Sequence, residues 1–240
     1  MTITLPSELV WVLDILGYEW PEIDEDEVRK AAVLVRQYGE DLSASVERAD
    51  RIIVEEVGSA LTAQAARSHA EAWNDNKSSN IRQFIDLLDP AATGVDLFAD
   101  AVVALKLKVI AELVITAAQI AAAIASAVVT FGLGAAAQVA LIAARKKVLD
   151  IATDIAVEQL MTQMLEMVID PLSSLGEQLV QAMLDAPIVA GAVGEMEEMQ
   201  ADLAALEAAS GALEETAMDQ DRLTDDFVTQ LMALQISTAG

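Results

Sequence analysis

Residues 113–147 read LVITAAQIAAAIASAVVTFGLGAAAQVALIAARKK, and from Leu113 to Ala144 no side chain carries a charge. This stretch is either a membrane span or the interior helix of a helical protein. Length argues against a simple span: thirty-two uncharged residues make roughly 48 Å of helix at ~1.5 Å per residue. A bilayer core needs only about 20. A hairpin folded at Phe131-Gly132-Leu133-Gly134 would shorten it, but its second arm, Ala135 to Ala144, is too short to cross. Alanine dominates and drives insertion weakly, Gln119, Thr130 and Gln138 would need polar partners, and basic residues stand at both ends (Lys106, Lys108; Arg145, Lys146, Lys147), which blurs any orientation signal. The Ala117, Ala121, Ala125 spacing suits close helix contact in either solvent. The preferred reading is a long central helix, apolar on all sides because neighbouring helices cover it. A segment that inserts later, with Phe131, Gly132 and Gly134 as its hinge, is the alternative.

Composition points the same way. Of 240 residues, 54% are hydrophobic but only 4% aromatic, with 11 Gly and 5 Pro. A core of Ala, Leu, Val, Ile and Met with few breakers predicts long helices rather than many short strands. The net charge of −25 leaves no basic patch for phosphate, so nucleic acid is excluded as a partner, as is charge-driven adhesion to an anionic membrane. Between Lys147 and Arg222 there is no Lys or Arg at all. Without Cys there is no disulfide framework and no thiolate metal site. The first twenty residues lack a basic n-region and place Glu8 and Asp14 within their apolar stretch, so no standard signal peptide is expected.

Outward from the quoted segment, residues 6–17 read as a short helix, with Ser7 as N-cap and Gly17 as its stop. The next start is the strongest in the chain. Asp24 and Glu27 have capping-box spacing, Ile23 and Val28 that of a hydrophobic staple, and Glu25 and Asp26 suit the positive end of the helix dipole. From there Val28, Ala32, Val35, Leu42, Val46, Ala49, Ile53, Ala60 and Leu61 recur at helical intervals, with Gly39 and Gly58 as possible interruptions. A turn is expected within residues 71–80 (EAWNDNKSSN). Pro90 and Gly94 should break the chain again, so that the helix carrying the quoted segment begins near Val95 and runs to about Asp150. Residues 151–184 form an amphipathic pattern kinked at Pro171, and residues 185–194 a linker. The last helix alternates Met196, Met199, Leu203, Leu206, Ser210, Leu213 and Ala217 in an a/d-like way.

The opening PSELVWVLDILGYEWPEIDEDEVRKAA resembles the start of the WXG-like N-terminal domain of CpnT-like type VII (ESX-type) secretion substrates and toxins. Pro6, Leu13, Gly17, Trp20, Pro21, Asp24, Glu25 and Ala31 carry the match. It continues through a Trp-containing turn, Trp73-Asn74-Asp75, where Asp75 stands in the place of the family's Gly. It then takes in the Ala-rich helix with its Phe-Gly-Leu-Gly interruption and Arg145-Lys146-Lys147. The resemblance implies a helical-hairpin trafficking domain that associates with small WXG-type helical partners or with itself. It further implies recognition by a secretion ATPase and export by a signal-peptide-independent route after a cytoplasmic stage. Trp73, Asn74, Asp75, Trp20 and Pro21 are the candidate recognition residues. The Tyr-x-x-x-Asp/Glu export signal of such substrates is not found in the C-terminal half; Tyr18 and Glu22 have its spacing, but Pro21 lies between them.

Chemistry is scarce. His69 is the only histidine and has no Ser–Asp arrangement around it. The acidic run Glu22, Asp24, Glu25, Asp26, Glu27 lacks the Gly and alternation of a calcium loop and reads as helix capping. Glu195, Glu197 and Glu198 read as a solvated face. No phosphate loop, dinucleotide fingerprint, zincin motif or nucleophile elbow is present.

These readings converge on an all-α protein: a long antiparallel helical hairpin with further C-terminal helices packed as a bundle. Residues 1–147, including the apolar helix 109–144, form the trafficking domain, and 148–240 an acidic helical region. The expected role is non-catalytic, without cofactor or metal. A membrane-inserting pore or toxin-translocation module using 113–144 is the competing expectation.

Overall fold

A computed structural model describes residues 2–61, 63–76, 81–129, 142–147, 149, 162, 166 and 202–237. A 3-10 turn, Ser7–Leu9, leads into α1, Val10–Leu16. Then come α2, Glu25–Arg51, six residues of π-helix, Ile52–Val57, and the short α3, Gly58–Ala60. α4 is Ala63–Asn76, α5 is Arg82–Val129, and α6 is Leu203–Met232. Among the described residues the protein is all-α, and the one extended pairing is an isolated antiparallel bridge between Ile23 and Ser237. The helices contribute to two compact units. The first contains Met1–Lys30, Val95–Glu166 and Gln235–Gly240, the second Ala31–Gly94 and Met167–Leu234.

Each helix end has a local cause. Gly17 stops α1 in the left-handed region at φ 59°, where only a residue without Cβ sits without strain. Its N–H bonds the Asp14 carbonyl, and that of Tyr18 reaches back to Leu13, closing a Schellman-type end. At the other end of this helix Ser7 makes no capping bond. Pro6 is the N-cap of the 3-10 turn, its carbonyl accepting from Leu9 N, and Leu9, without a capping side chain, is the N-cap of α1. Asp24 does cap α2, its Oδ1 accepting from the N–H groups of Asp26 and Glu27. The reciprocal arm of the capping box is replaced. The Asp24 N–H goes to the Ile236 carbonyl, so Glu27 is left to pair with Lys30 and Gln235.

α2 and α5 are antiparallel in both units. In the first, Glu25 meets Lys106 and Arg29 meets Asp100. In the second, Arg36 meets Asp89, and a Cβ added at Gly39 would stand 3.3 Å from Leu88. Gly39 therefore lets the two backbones approach closely rather than interrupting α2. Pro90 and Gly94 likewise do not break the chain, since α5 is continuous from Arg82 to Val129. Pro90 sits on the exposed side, while Leu88, Ala91 and Ala92 are buried on the other. The carbonyl that Pro90 deprives of a donor thus faces water, and packing on the opposite face holds the helix through the defect.

The first unit is built on a cluster of Leu9, Val12, Leu16, Tyr18, Leu105, Val109, Leu113 and Leu149, with Leu5, Leu13 and Trp20 packed against it. In the second, the π-helical turns put Ile52 and Val57 on Ala209 of α6, beside Leu206 and Leu213. Asp202 N-caps α6 through Ala204 N and Ala205 N, and donates its own N–H to the Ala60 carbonyl at 2.9 Å. Tyr38 stacks on Phe227 at 4.6 Å. The inward stripe of α6 is thus Leu206, Ala209, Leu213, Thr216, Leu223 and Phe227, whereas Leu203, Ser210 and Ala217 are exposed. Three positions of the expected seam thus face outward: Leu203 at the start of α6, and Ser210 and Ala217, each one residue off because Ala209 and Ser210, or Thr216 and Ala217, differ too little in hydrophobicity to fix a face.

Gly211 lies on the outer side of α6 with no heavy atom within 4 Å of a built Cβ. Replacing it with alanine is expected to stabilise the protein by about 0.5–1 kcal/mol, the helical cost of glycine. A higher urea midpoint at unchanged slope is the expected readout.

Candidate partner-binding surface

The described half of the opening segment has one buried face, not four covered sides. Leu113, Thr116 and Ile120 point inward at 0%, 2% and 5% exposure. Leu107, Val114 and Ile115 are 53%, 51% and 45% exposed, and Ala104, Ala111, Ala118, Ala121 and Ala122 share their side. Among the described residues, α1, Ile142 and Leu149 pack on the inward face of α5. The result is an apolar arc in which Ala104, Leu107, Ala111, Val114, Ala118 and Ala121 follow one another at alternating three- and four-residue steps, the spacing of a helix–helix seam. Lys108 is the single charged side chain among the exposed positions from Ala104 to Ala122. No described helix is long and apolar enough to cross a membrane. Phe131, Gly132 and Gly134 lie outside the described residues.

Two of the aromatic candidates are held by their own units. Trp20 is half-buried against the first cluster, with the Lys106 ammonium 5.8 Å from its ring centroid, a cation–π distance. Pro21, also half-buried, follows it in the connection to α2. Trp73 does not stand in a turn. With Asn74 and Asp75 it occupies the last turn of α4, which ends at Asn76. Its indole N–H donates to Asp50 Oδ1 at 2.8 Å and the ring is half-buried, while Asn74 and Asp75 are exposed. Asp50 also lines a groove of about 240 Å³ with Ser43, Val46, Glu47, Arg82, Ile85 and Asp86. Trp20 and Trp73 belong to different units.

A polar site that the sequence did not announce lies beneath Trp20. Lys106 Nζ is 1% exposed and donates to three acceptors: Ile23 O at 2.6 Å, Glu25 Oε2 at 2.7 Å and Ile3 O at 3.2 Å. Glu25, fully buried, accepts the Ile3 N–H on its other oxygen at 2.6 Å. Burial alone would push the Glu25 carboxyl up. The Lys106 ammonium and the Ile3 N–H outweigh it and hold the group below the ordinary carboxylate range. The available signal was positional: Lys106 shares the face of Val102, Val109 and Leu113, where a solvated lysine does not belong.

Among the described residues no set of three or more His, Cys, Asp or Glu side chains could hold a metal ion, and His69 is exposed on α4. Comparison with curated proteins and with solved structures finds no match. The family model of the WXG100 like domain, in contrast, matches residues 3–146, a stretch that takes in α1, the capped start of α2, Trp73 and the one-sided α5. The chain belongs to the WXG100-like domain family.

Proposed function

We propose that this chain is the non-catalytic export and assembly module of a type VII secretion substrate, acting by helix–helix association. The observation that carries this reading is the uncovered apolar arc of α5, Leu107, Ala111, Val114 and Ala118. An arc of this width beside a chain of net charge −25 is costly to leave in water and suited to a second helix. Small WXG-type helical proteins, or a second copy of this chain, are the occupants. The end of the hairpin near Trp73, Asn74 and Asp75 is the part read by a secretion ATPase. Export then proceeds without a cleaved signal.

Light scattering coupled to size exclusion tests the association, on the chain alone and mixed with small WXG-type hairpin proteins. Wild type is expected to form a stoichiometric complex. Leu107→Glu combined with Val114→Glu should abolish it while leaving the melting temperature of the isolated chain within a few degrees, because both positions are exposed. A complex that survives both charges would refute the assignment. For Trp73, a Phe replacement keeps the ring and removes only the bond to Asp50, a loss of about 1 kcal/mol. Export that persists in Trp73→Phe but fails in a folded Trp73→Ala would place the recognition in the ring itself, and export unaffected by either change would remove Trp73 from it.

A further inference from the structure

Both ends of the described chain are tied to the first turn of α2, and the ties run largely through carboxylates. Thr2 Oγ1 donates to Asp24 Oδ1 at 2.7 Å and lies 3.2 Å from Asp26 Oδ2. The Ile3 N–H donates to Glu25 at 2.6 Å, and the Ile3 carbonyl accepts from Lys106. From the other end, Gln235 N–H donates to Glu27 Oε2 at 3.3 Å. Ile236 O accepts the Asp24 N–H at 2.7 Å, and Ser237 bridges to Ile23. Residues 2–5 and 235–237 carry no charged side chain of their own. They are short, lie outside any helix, and hold their place by these bonds and by Leu5, which packs against the apolar cluster of the first unit.

We infer that residues 2–5 form an acid-releasable strap, fastened across the start of α2 by Asp24 and Glu25, whose opening uncovers the cluster beneath Leu5 and the Lys106 site, while residues 235–237 stay tied by the backbone bonds of Ile236 and Ser237. The charged groups facing this strap come from two helices. α2 supplies Asp24, Glu25, Asp26, Glu27, Arg29 and Lys30; α5 supplies Asp100 and Lys106. Arg29 is held by Asp100 at 2.7 Å and stands 3.7 Å from Asp26, and Lys30 pairs with Glu27. The N-terminal ammonium, hydrogen-bonded to Asp26 and holding that carboxyl below the ordinary range, is a further charge beside the strap, as is Glu22 in the connection before α2; residues 2–5 and 235–237 add none. For Asp24, burial raises the carboxyl, but the Thr2 hydroxyl and the N–H groups of Glu27 and Asp26 together hold it below the ordinary range, as Lys106 and Ile3 do for Glu25. Lowered groups contribute stability above their unfolded values, and that contribution vanishes as pH falls through the folded ones. The strap is therefore fastened at neutral pH and loosens below about pH 4, where ordinary carboxylates protonate.

Amide hydrogen exchange read as protection factors separates this from general acid unfolding. Between pH 7 and pH 3.5, protection at Ile3 is expected to fall about tenfold, the scale of a lost charge-assisted bond, while Leu113, the Asp24 amide bonded to the Ile236 carbonyl and the α6 amides keep theirs. At pH 7, Thr2→Ala should lower protection at Ile3 without changing Leu113. Glu25→Gln should mimic acid at Ile3, and if that variant unfolds, Thr2→Ala still carries the test. Equal protection at both pH values would overturn the inference. So would loss at Leu113 in step with Ile3, or a Thr2→Ala protein whose Ile3 amide behaves as wild type.

Discussion

Lys106→Ala is expected to destabilise the protein by about 3–5 kcal/mol at pH 7, the cost of removing one partner from a buried, hydrogen-bonded ion pair. The substitution leaves the Glu25 carboxylate fully buried with two backbone N–H groups, those of Ile3 and of Glu25 itself, but no positive charge opposite it, and strips two backbone carbonyls, Ile3 and Ile23, of their donor. Against a typical total of about 5–15 kcal/mol, that is a large share. Glu25→Leu with Lys106→Met should cost markedly less than the sum of its single changes, because no isolated charge remains. The two carbonyls and the Ile3 N–H still lose partners, which keeps the double variant below wild type. Chemical unfolding of the four proteins gives the coupling directly. The pH dependence has a definite sign. Glu25 is lowered in the folded state, so its contribution is present above the ordinary carboxylate range and lost as pH falls through its folded value. The gap between wild type and Glu25→Gln should accordingly narrow below about pH 4. A Lys106→Ala cost under about 1 kcal/mol would mean that the pair is solvated rather than buried.

That pair also shows where sequence reading runs out. Asp24 and Gly17 were legible because capping and a left-handed stop are local: the side chain, the turn and the partner lie within a few residues. The family was legible through a dense cluster of such local features around Trp20 and Pro21. Glu25 read as one more acid at a helix dipole, and Lys106 as a flanking charge, because the distance between them, 81 residues, is invisible to periodicity. Pro90 misled for the opposite reason. Its local effect is real, but Leu88, Ala91 and Ala92 bury the far face of α5 and override it. For Trp73 the neighbouring Asn and Asp residues suggested a turn, while α4 continues to Asn76. The candidate surface was only half visible. The uncharged run of 113–144 was plain, but which of its sides faces protein depends on where α1 docks.

Leu113→Ala and Leu107→Ala settle that orientation by contrast. The two residues look alike in sequence, each a leucine in the same Ala- and Val-rich helix. Leu113 is 0% exposed, within a cluster formed with Leu9, Val12, Leu16 and Val109. Its truncation is expected to cost about 2–5 kcal/mol, combining lost transfer energy with a cavity that close-packed neighbours only partly fill. Leu107 is 53% exposed, so the same truncation should stay within about 0.5 kcal/mol in the isolated chain. Thermal or urea unfolding of the pair therefore reports the face of α5 that the protein itself covers. If Leu107 is the costlier site, α5 is rotated and the apolar arc is not a surface. Protein concentration adds a further discrimination. A Leu107→Ala effect that is negligible when dilute but grows with concentration is what mass action requires of an interface between chains, and it would name a second copy as the occupant of the arc. An effect near zero at every concentration, together with the full Leu113 cost, leaves the arc open in the isolated chain and available to a helix from a different protein.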